Sequence, residues 1–212
     1  MIKLYGFAVS NYYNMVKMAL IEKGMEFEEV TVRPSQESEY LSRSPMGKVP
    51  CIETEQGFLT ETEVIIDYLD SLGLGPSFYP AVPFERAKVR ELIRYLELYI
   101  ELPARRLYGD VFFGRPASEA EKESVHKELV KGFAALAKLA KYGPYLAGSE
   151  MSYADFYFLF SVGLVTRVTK KALNWDVFAT EPGVRELLSL LEKRDSVKAI
   201  RADQAKAMAT KA

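Results

Sequence analysis

Along the first third of the chain the hydrophobic pattern changes period repeatedly. Apolar residues alternate from Ile2 to Phe7, recur at helical spacing from Asn11 to Lys23 before Gly24, and alternate again from Phe27 to Val32 with glutamates outside. This predicts a βαβ unit. Residues 33–47 carry Pro34, Pro45, Gly47 and four serines, which predicts loop with one helical turn over Glu37 to Leu41. Val49 to Glu53 and Phe58 to Thr60 read as a hairpin around Thr54 to Gly57. A helix follows from about Glu61 to Leu72, with Val64, Ile65, Tyr68, Leu69 and Leu72 on its inner face.

Residues 73–83 hold Gly73, Gly75, Pro76, Pro80 and Pro83, enough breakers to place a linker there. The expected domains are therefore 1–77 and 84–212. Beyond the linker the period is helical throughout. Val89, Leu92, Ile93, Leu96, Tyr99 and Ile100 predict a long helix interrupted by Pro103. Ser118 and Glu121 form a capping box for a second helix, with Val125, Leu129, Phe133, Leu136 and Leu139 inward and a stop at Gly143-Pro144. The apolar window Phe156 to Val165 is far shorter than the roughly 20 residues that span a bilayer, and reads as a buried helix. Pro182 opens another helix, and the polar stretch Asp203 to Ala212 reads as a fraying tail. The fold class is α/β plus all-α: a βαβ-ββα domain followed by a helical bundle.

Composition narrows the function. With 49% hydrophobic and 27% charged residues and a net charge of −1, the chain is an ordinary globular protein without a polybasic surface for nucleic acid or anionic membrane. Charge is uneven, however. Residues 1–77 hold six of the 28 Lys/Arg and twelve of the 29 Asp/Glu, so the front is acidic and the back basic. The start runs from a short apolar stretch into Asn11, unlike a signal peptide, and a cytoplasmic location is expected. One cysteine and one histidine leave no disulfide, no redox pair and no thiolate-rich metal site. Cys51, on a core strand, reads as packing.

Four places combine polar groups with element ends. Ser152 and Asp155 are spaced as a capping box before an all-round apolar helix, so a structural role outweighs a catalytic one for Asp155. Ser10-Asn11 stands between the first strand and first helix, where a hydroxyl and free amides favour an anion, although serine is also a common cap. Pro50 at a strand start allows a cis bond that leaves the Val49 backbone free for an extended ligand. Glu61-Thr62 opens the next helix with groups suited to an amino-acid head group, against the plainer possibility that Thr60 and Glu63 are a capping box.

Taken together, Ser10 to Leu20 with Glu22-Lys23-Gly24, Gly47 to Pro50, Glu61-Thr62 with Ile66 and Tyr68-Leu69, and Gly148 to Asp155 give the chain its resemblance to the cytosolic glutathione S-transferases, over essentially its whole length. The likeness is to serine-type, bacterial-like members, and it implies a thioredoxin-like front domain and a helical back domain. It implies that Ser10 hydrogen-bonds the glutathione thiolate, Val49 pairs with the cysteinyl unit beside cis-Pro50, Glu61 and Thr62 hold the γ-glutamyl end, and Lys48 meets the glycine carboxylate. Glutathione is then co-substrate, with no metal or redox cofactor, and the second substrate is an electrophilic, mostly apolar small molecule near Phe7, Tyr12, Tyr108, Phe112 and Phe113. A homodimer is implied, using the first long helix of the back domain and the helix after Thr62. Asn11 after Ser10 and Met15 before Val16 depart from the serine-type pattern. Tyr5 is the competing hydroxyl, because other classes use a first-strand tyrosine. A maleylacetoacetate-type isomerase and a non-catalytic interaction module are the alternatives.

Overall fold

In the computed structural model, which describes residues 1–179 and 182–209, the front of the chain follows the alternation of its sequence. It runs β1 (Ile2–Gly6), α1 (Asn11–Glu22), β2 (Phe27–Thr31), α2 (Ser38–Leu41), β3 (Cys51–Thr54), β4 (Gly57–Thr60) and α3 (Thr62–Ser71). The sheet order is β2-β1-β3-β4, with β1 and β2 parallel and β3 antiparallel to both β1 and β4. Leu4 of β1, Ile52 of β3, Met15, Met18 and Leu20 of α1, and Ile65, Ile66 and Leu69 of α3 are fully buried and form the core.

The buried face of α3 is rotated from the expected one. Thr62, Ile65, Ile66, Leu69 and Asp70 point inward, while Val64 and Leu72 are exposed. Polar neighbours cause the rotation. The buried Lys23 ammonium donates to the Pro76 carbonyl at 2.9 Å and lies 3.5 Å from Asp70, which also accepts from the Ser77 hydroxyl at 2.9 Å. A carboxylate matched by a cation and a hydroxyl can be buried where an unpaired one could not.

The remaining helices are α4 (Pro83–Tyr95), a π-helical turn (Leu96–Glu101), α5 (Leu102–Arg105), α6 (Tyr108–Phe113), α7 (Glu119–Leu139), α8 (Tyr153–Leu173), α9 (Pro182–Leu191) and α10 (Asp195–Ala209). The long helix expected before Pro103 is continuous only to Tyr95. The π turn then leads to α5, where proline occupies the first turn and needs no hydrogen-bond partner for its nitrogen. Tyr99 turns outward there, contrary to its expected inner place. α7 lies close to this turn. A Cβ at Gly132 would come within 2.2 Å of the Tyr99 carbonyl oxygen, so the approach requires glycine. α8 is buried continuously from Tyr153 to Val162, as its unbroken apolar run predicts.

By contacts the chain forms two compact units, one of Met1–Phe78 with the described residues from Glu192 onward, the other of the described residues within Tyr79–Leu191. The sequence places all of 84–212 in one helical domain, but α10 packs along α1. Ionic contacts hold it. Buried Lys17 of α1 donates to Asp203 at 2.8 Å and to Glu29 of β2 at 2.6 Å, and Arg194 makes a bidentate pair with Glu22 at 2.6 and 2.5 Å. Asp203 thus lies inside a helix rather than at the start of a frayed tail, although 210–212 lie outside the described residues. No helix among the described residues is long and apolar enough to cross a membrane.

Candidate functional site

Strand register assembles the site in the front unit. Tyr5 of β1 pairs with Cys51 of β3, and Cys51 pairs with Thr60 of β4. β1 leaves this row toward Ser10, β3 enters it from Val49-Pro50, and β4 leaves it toward Glu61-Thr62. The three segments singled out in the sequence therefore lie beyond the same edge of the sheet, together with the N-termini of α1 and α3. Helix N-termini present free amides and partial positive charge, so this edge favours an anionic ligand.

Ser10 caps α1 by accepting the Tyr13 amide at 3.4 Å. That contact uses an oxygen lone pair and leaves the hydroxyl hydrogen, which has no acceptor among the described residues. The plain capping role and a donor role are thus compatible. Ala8, whose carbonyl accepts from Asn14 Nδ2 at 2.8 Å, fixes the loop before Ser10. Tyr13 packs on Gly6, where a Cβ would meet its ring at 2.2 Å, and its hydroxyl donates to Glu29. Burial and that acidic neighbour raise its pKa. Asn14 and Tyr13 were not singled out from the sequence. Their signal is their spacing from Ser10, one turn into an almost wholly buried helix.

The Val49-Pro50 bond is cis. The Lys48 carbonyl accepts from the Tyr40 hydroxyl at 3.0 Å and the Ser44 hydroxyl at 2.9 Å, which anchors the strand entry. Val49 takes no backbone hydrogen bond among the described residues, and the exposed Lys48 ammonium has no ion pair there. Glu61 has φ 65° and ψ 119°, a costly conformation for a residue with a Cβ. It precedes α3 without a side-chain cap bond, so the alternative in which Thr60 and Glu63 form a capping box is not the observed geometry. Thr62 is buried to 6% exposure, and neither its hydroxyl nor the Glu61 carboxylate is matched among the described residues. No group of three His, Cys, Asp or Glu that could hold a metal occurs among the described residues.

Tyr5 differs. Its hydroxyl donates to Glu53, and burial followed by that hydrogen bond pushes its pKa up to about 12. Cys51 is buried, with its thiol pushed up to about 11 by desolvation. Of the aromatic candidates, Phe7 and Tyr12 fall in the front unit and are partly exposed. Tyr108, Phe112 and Phe113 fall in the helical unit on α6, with ring centroids 5.3 and 6.5 Å apart in sequence. At the start of α8 the Ser152-Asp155 capping box is present. The Asp155 carboxylate accepts the Leu146 and Ser152 amides, each at 2.7 Å, and the Ser152 hydroxyl at 3.1 Å.

Comparison with known proteins supplies independent lines. A family model of the glutathione S-transferase N-terminal domain matches residues 4–77, and one of the C-terminal domain matches residues 105–195. A glutathione S-transferase of Pseudomonas putida is 49% identical over 208 residues, 98% of this chain and 94% of that protein. Among solved structures, poplar glutathione transferase F1 superposes with TM-score 0.80 at 22% identity, covering 97% of this chain and 98% of that one. A glutathione S-transferase from Pseudomonas fluorescens gives 0.78 at 23%, covering 92% and 96%. At these identities the structures establish the fold, and both the thioredoxin-like sheet and the helical unit are shared.

Proposed function

This chain belongs to the glutathione S-transferase family, and we propose that it conjugates glutathione to an electrophilic small molecule with Ser10 as the thiol-activating group. One observation carries this: the groups at the sheet edge are unspent. The Ser10 hydroxyl hydrogen, the Val49 backbone, the Lys48 ammonium, the Glu61 carboxylate and the Thr62 hydroxyl all lack partners among the described residues, and register sets their segments along one edge. A charged tripeptide matches that set. Its γ-glutamyl ammonium and carboxylate pair with Glu61 and with Thr62 at the α3 N-terminus, its cysteinyl backbone pairs with Val49, and its glycine carboxylate meets Lys48.

The sulfur then lies toward Ser10. The nucleophile is the thiolate, and a free cysteine thiol with pKa near 8.5 is only about 3% ionised at pH 7. A hydroxyl donating to sulfur, aided by the positive end of α1, favours the charged form. The thiolate attacks the electrophilic carbon, and the thiol proton passes to solvent. Tyr5 is a poor candidate for this role because its hydroxyl is already committed to Glu53.

A homodimer accords with exposed apolar side chains on the elements expected at an interface: Val64 on α3, and Leu98, Tyr99 and Leu102 in and after the π turn. Light scattering should then give twice the 24.0 kDa chain mass. A cytoplasmic setting suits the single unpaired Cys51. Retention on immobilised glutathione, with conjugation of chlorodinitrobenzene, tests the function. Failure to bind glutathione would instead support an interaction module.

A further inference from the structure

Lys17 is a buried cation that the transfer chemistry does not use. Its ammonium donates to both oxygens of Glu29 on β2, at 2.6 and 2.7 Å, and to Asp203 on α10 at 2.8 Å. Glu29 also accepts from the hydroxyl of Tyr13, which lies one turn before Lys17 on the same face of α1. Tyr13 is the residue whose amide donates to Ser10. Its ring is wedged against Gly6, and Asn14 beside it holds the Ala8 carbonyl. A chain of contacts therefore runs from α10 through Asp203, Lys17, Glu29 and Tyr13 to the first turn of α1. Its charges balance, two ammonium groups against two carboxylates, because Lys206 lies 3.7 Å from Asp203. The cluster thus offers the sulfur position no net cation, and what it fixes is position.

We propose that α10 serves catalysis at one remove: Asp203, Lys17, Glu29 and Tyr13 are positioning residues that hold the Ser10 hydroxyl toward the glutathione sulfur. The assignment deepens the glutathione-transfer function and rests on it. The cap contact at Ser10 is long, 3.4 Å, so the hydroxyl takes its direction from how firmly Tyr13 is seated. The other end of α1 has a separate link to the same part of the chain, from Glu22 to Arg194 and Ser196. That second anchor keeps α10 in place when the Asp203 contact is cut.

The test is the pH dependence of turnover at saturating glutathione. Tyr13→Phe should raise the apparent pKa from about 6.5 by about half a unit to one unit and lower turnover about 1.5- to 3-fold at pH 7, with the KM for glutathione within about twofold of wild type. Asp203→Ala should shift the pKa the same way but less, and Asp203→Asn, which keeps an acceptor for Lys17, should lie nearer the wild type. The sign is decisive, because removing a carboxylate would through its field alone lower a thiol pKa. Ser196→Ala loosens the other anchor and should keep the wild-type profile. In a Ser10→Ala background neither Tyr13→Phe nor Asp203→Ala should shift the profile further. A wild-type or lowered pKa in Asp203→Ala, an equal shift in Ser196→Ala, or a shift that persists without the Ser10 hydroxyl overturns the proposal, even where the melting temperature falls. If Ser10→Ala itself conjugates with the wild-type profile, the role of Ser10 fails and the proposal fails with it.

Discussion

Two serine caps in this molecule have opposite fates. Ser152 opens α8 in a closed arrangement, in which the Asp155 carboxylate, itself fully buried, accepts two amides and the Ser152 hydroxyl. Ser10 opens α1 through a single contact of 3.4 Å, with Tyr13 rather than an acid three residues on, and its hydroxyl hydrogen has no acceptor among the described residues. The same residue in the same helical position holds a fold together in one case and is left available for a ligand in the other. What separates them is whether the neighbouring sequence consumes the cap's remaining valence.

The largest effect expected from breaking this comparison is at the closed cap. Asp155→Ala orphans two buried amides and a hydroxyl, each worth about 1 to 3 kcal/mol when left unsatisfied, so a loss of at least about 3 kcal/mol is expected in denaturant unfolding. Ser10→Ala should cost about 1 kcal/mol or less, as for an exposed cap. Equal losses would erase the distinction.

The closed cap should also be sensitive to pH. Burial raises the Asp155 pKa from 3.8 to about 6 against the pull of its hydrogen bonds. As pH rises, the unfolded chain releases this proton first, so the group's contribution is greatest below about pH 4, falls between pH 4 and 6, and is constant above. The fall amounts to about 3 kcal/mol, from roughly two pKa units at about 1.4 kcal/mol each. Wild-type stability should therefore fall relative to the non-titrating Asp155→Asn across that window. Parallel curves would show that the carboxylate is ionised at normal pH without penalty.

At the open edge, Thr62→Ala removes a hydroxyl that has no partner among the described residues. Glutathione affinity should weaken by about 1 to 3 kcal/mol, or roughly 5- to 150-fold, with the melting temperature nearly unchanged. Calorimetry that gives wild-type affinity would place the γ-glutamyl end elsewhere.

Much of this contrast is legible before folding. The changes of period give β1, α1 and the hairpin to within two residues, and the spacing of Ser118 to Glu121 and Ser152 to Asp155 marks two caps that the structure contains. What hydrophobic pattern hides is burial of charge. Asp70 rotates α3 inward because Lys23 and Ser77 answer it, and α10 joins the front unit through Lys17 to Asp203 and Glu22 to Arg194, pairs 172 to 186 residues apart. No local period carries such long-range pairings. For the site, motif positions were legible, but that Tyr5 is spent on Glu53 and Ser10 is not could be read only from hydrogen bonds.

The most direct test of the central claim is the pH dependence of turnover for Ser10→Ala and Tyr5→Phe with a simple electrophile at saturating glutathione. If Ser10 stabilises the thiolate by about 2.7 kcal/mol with the helix, the wild-type profile should have an apparent pKa near 6.5, two units below a free thiol. Ser10→Ala should move that pKa upward by one to two units and lower turnover about 3- to 25-fold at neutral pH through the smaller thiolate fraction, with glutathione affinity little changed. Tyr5→Phe should follow the wild type. A Ser10→Ala profile that overlays the wild type, with Tyr5→Phe shifted upward, would contradict the assignment and make Tyr5 the activating hydroxyl.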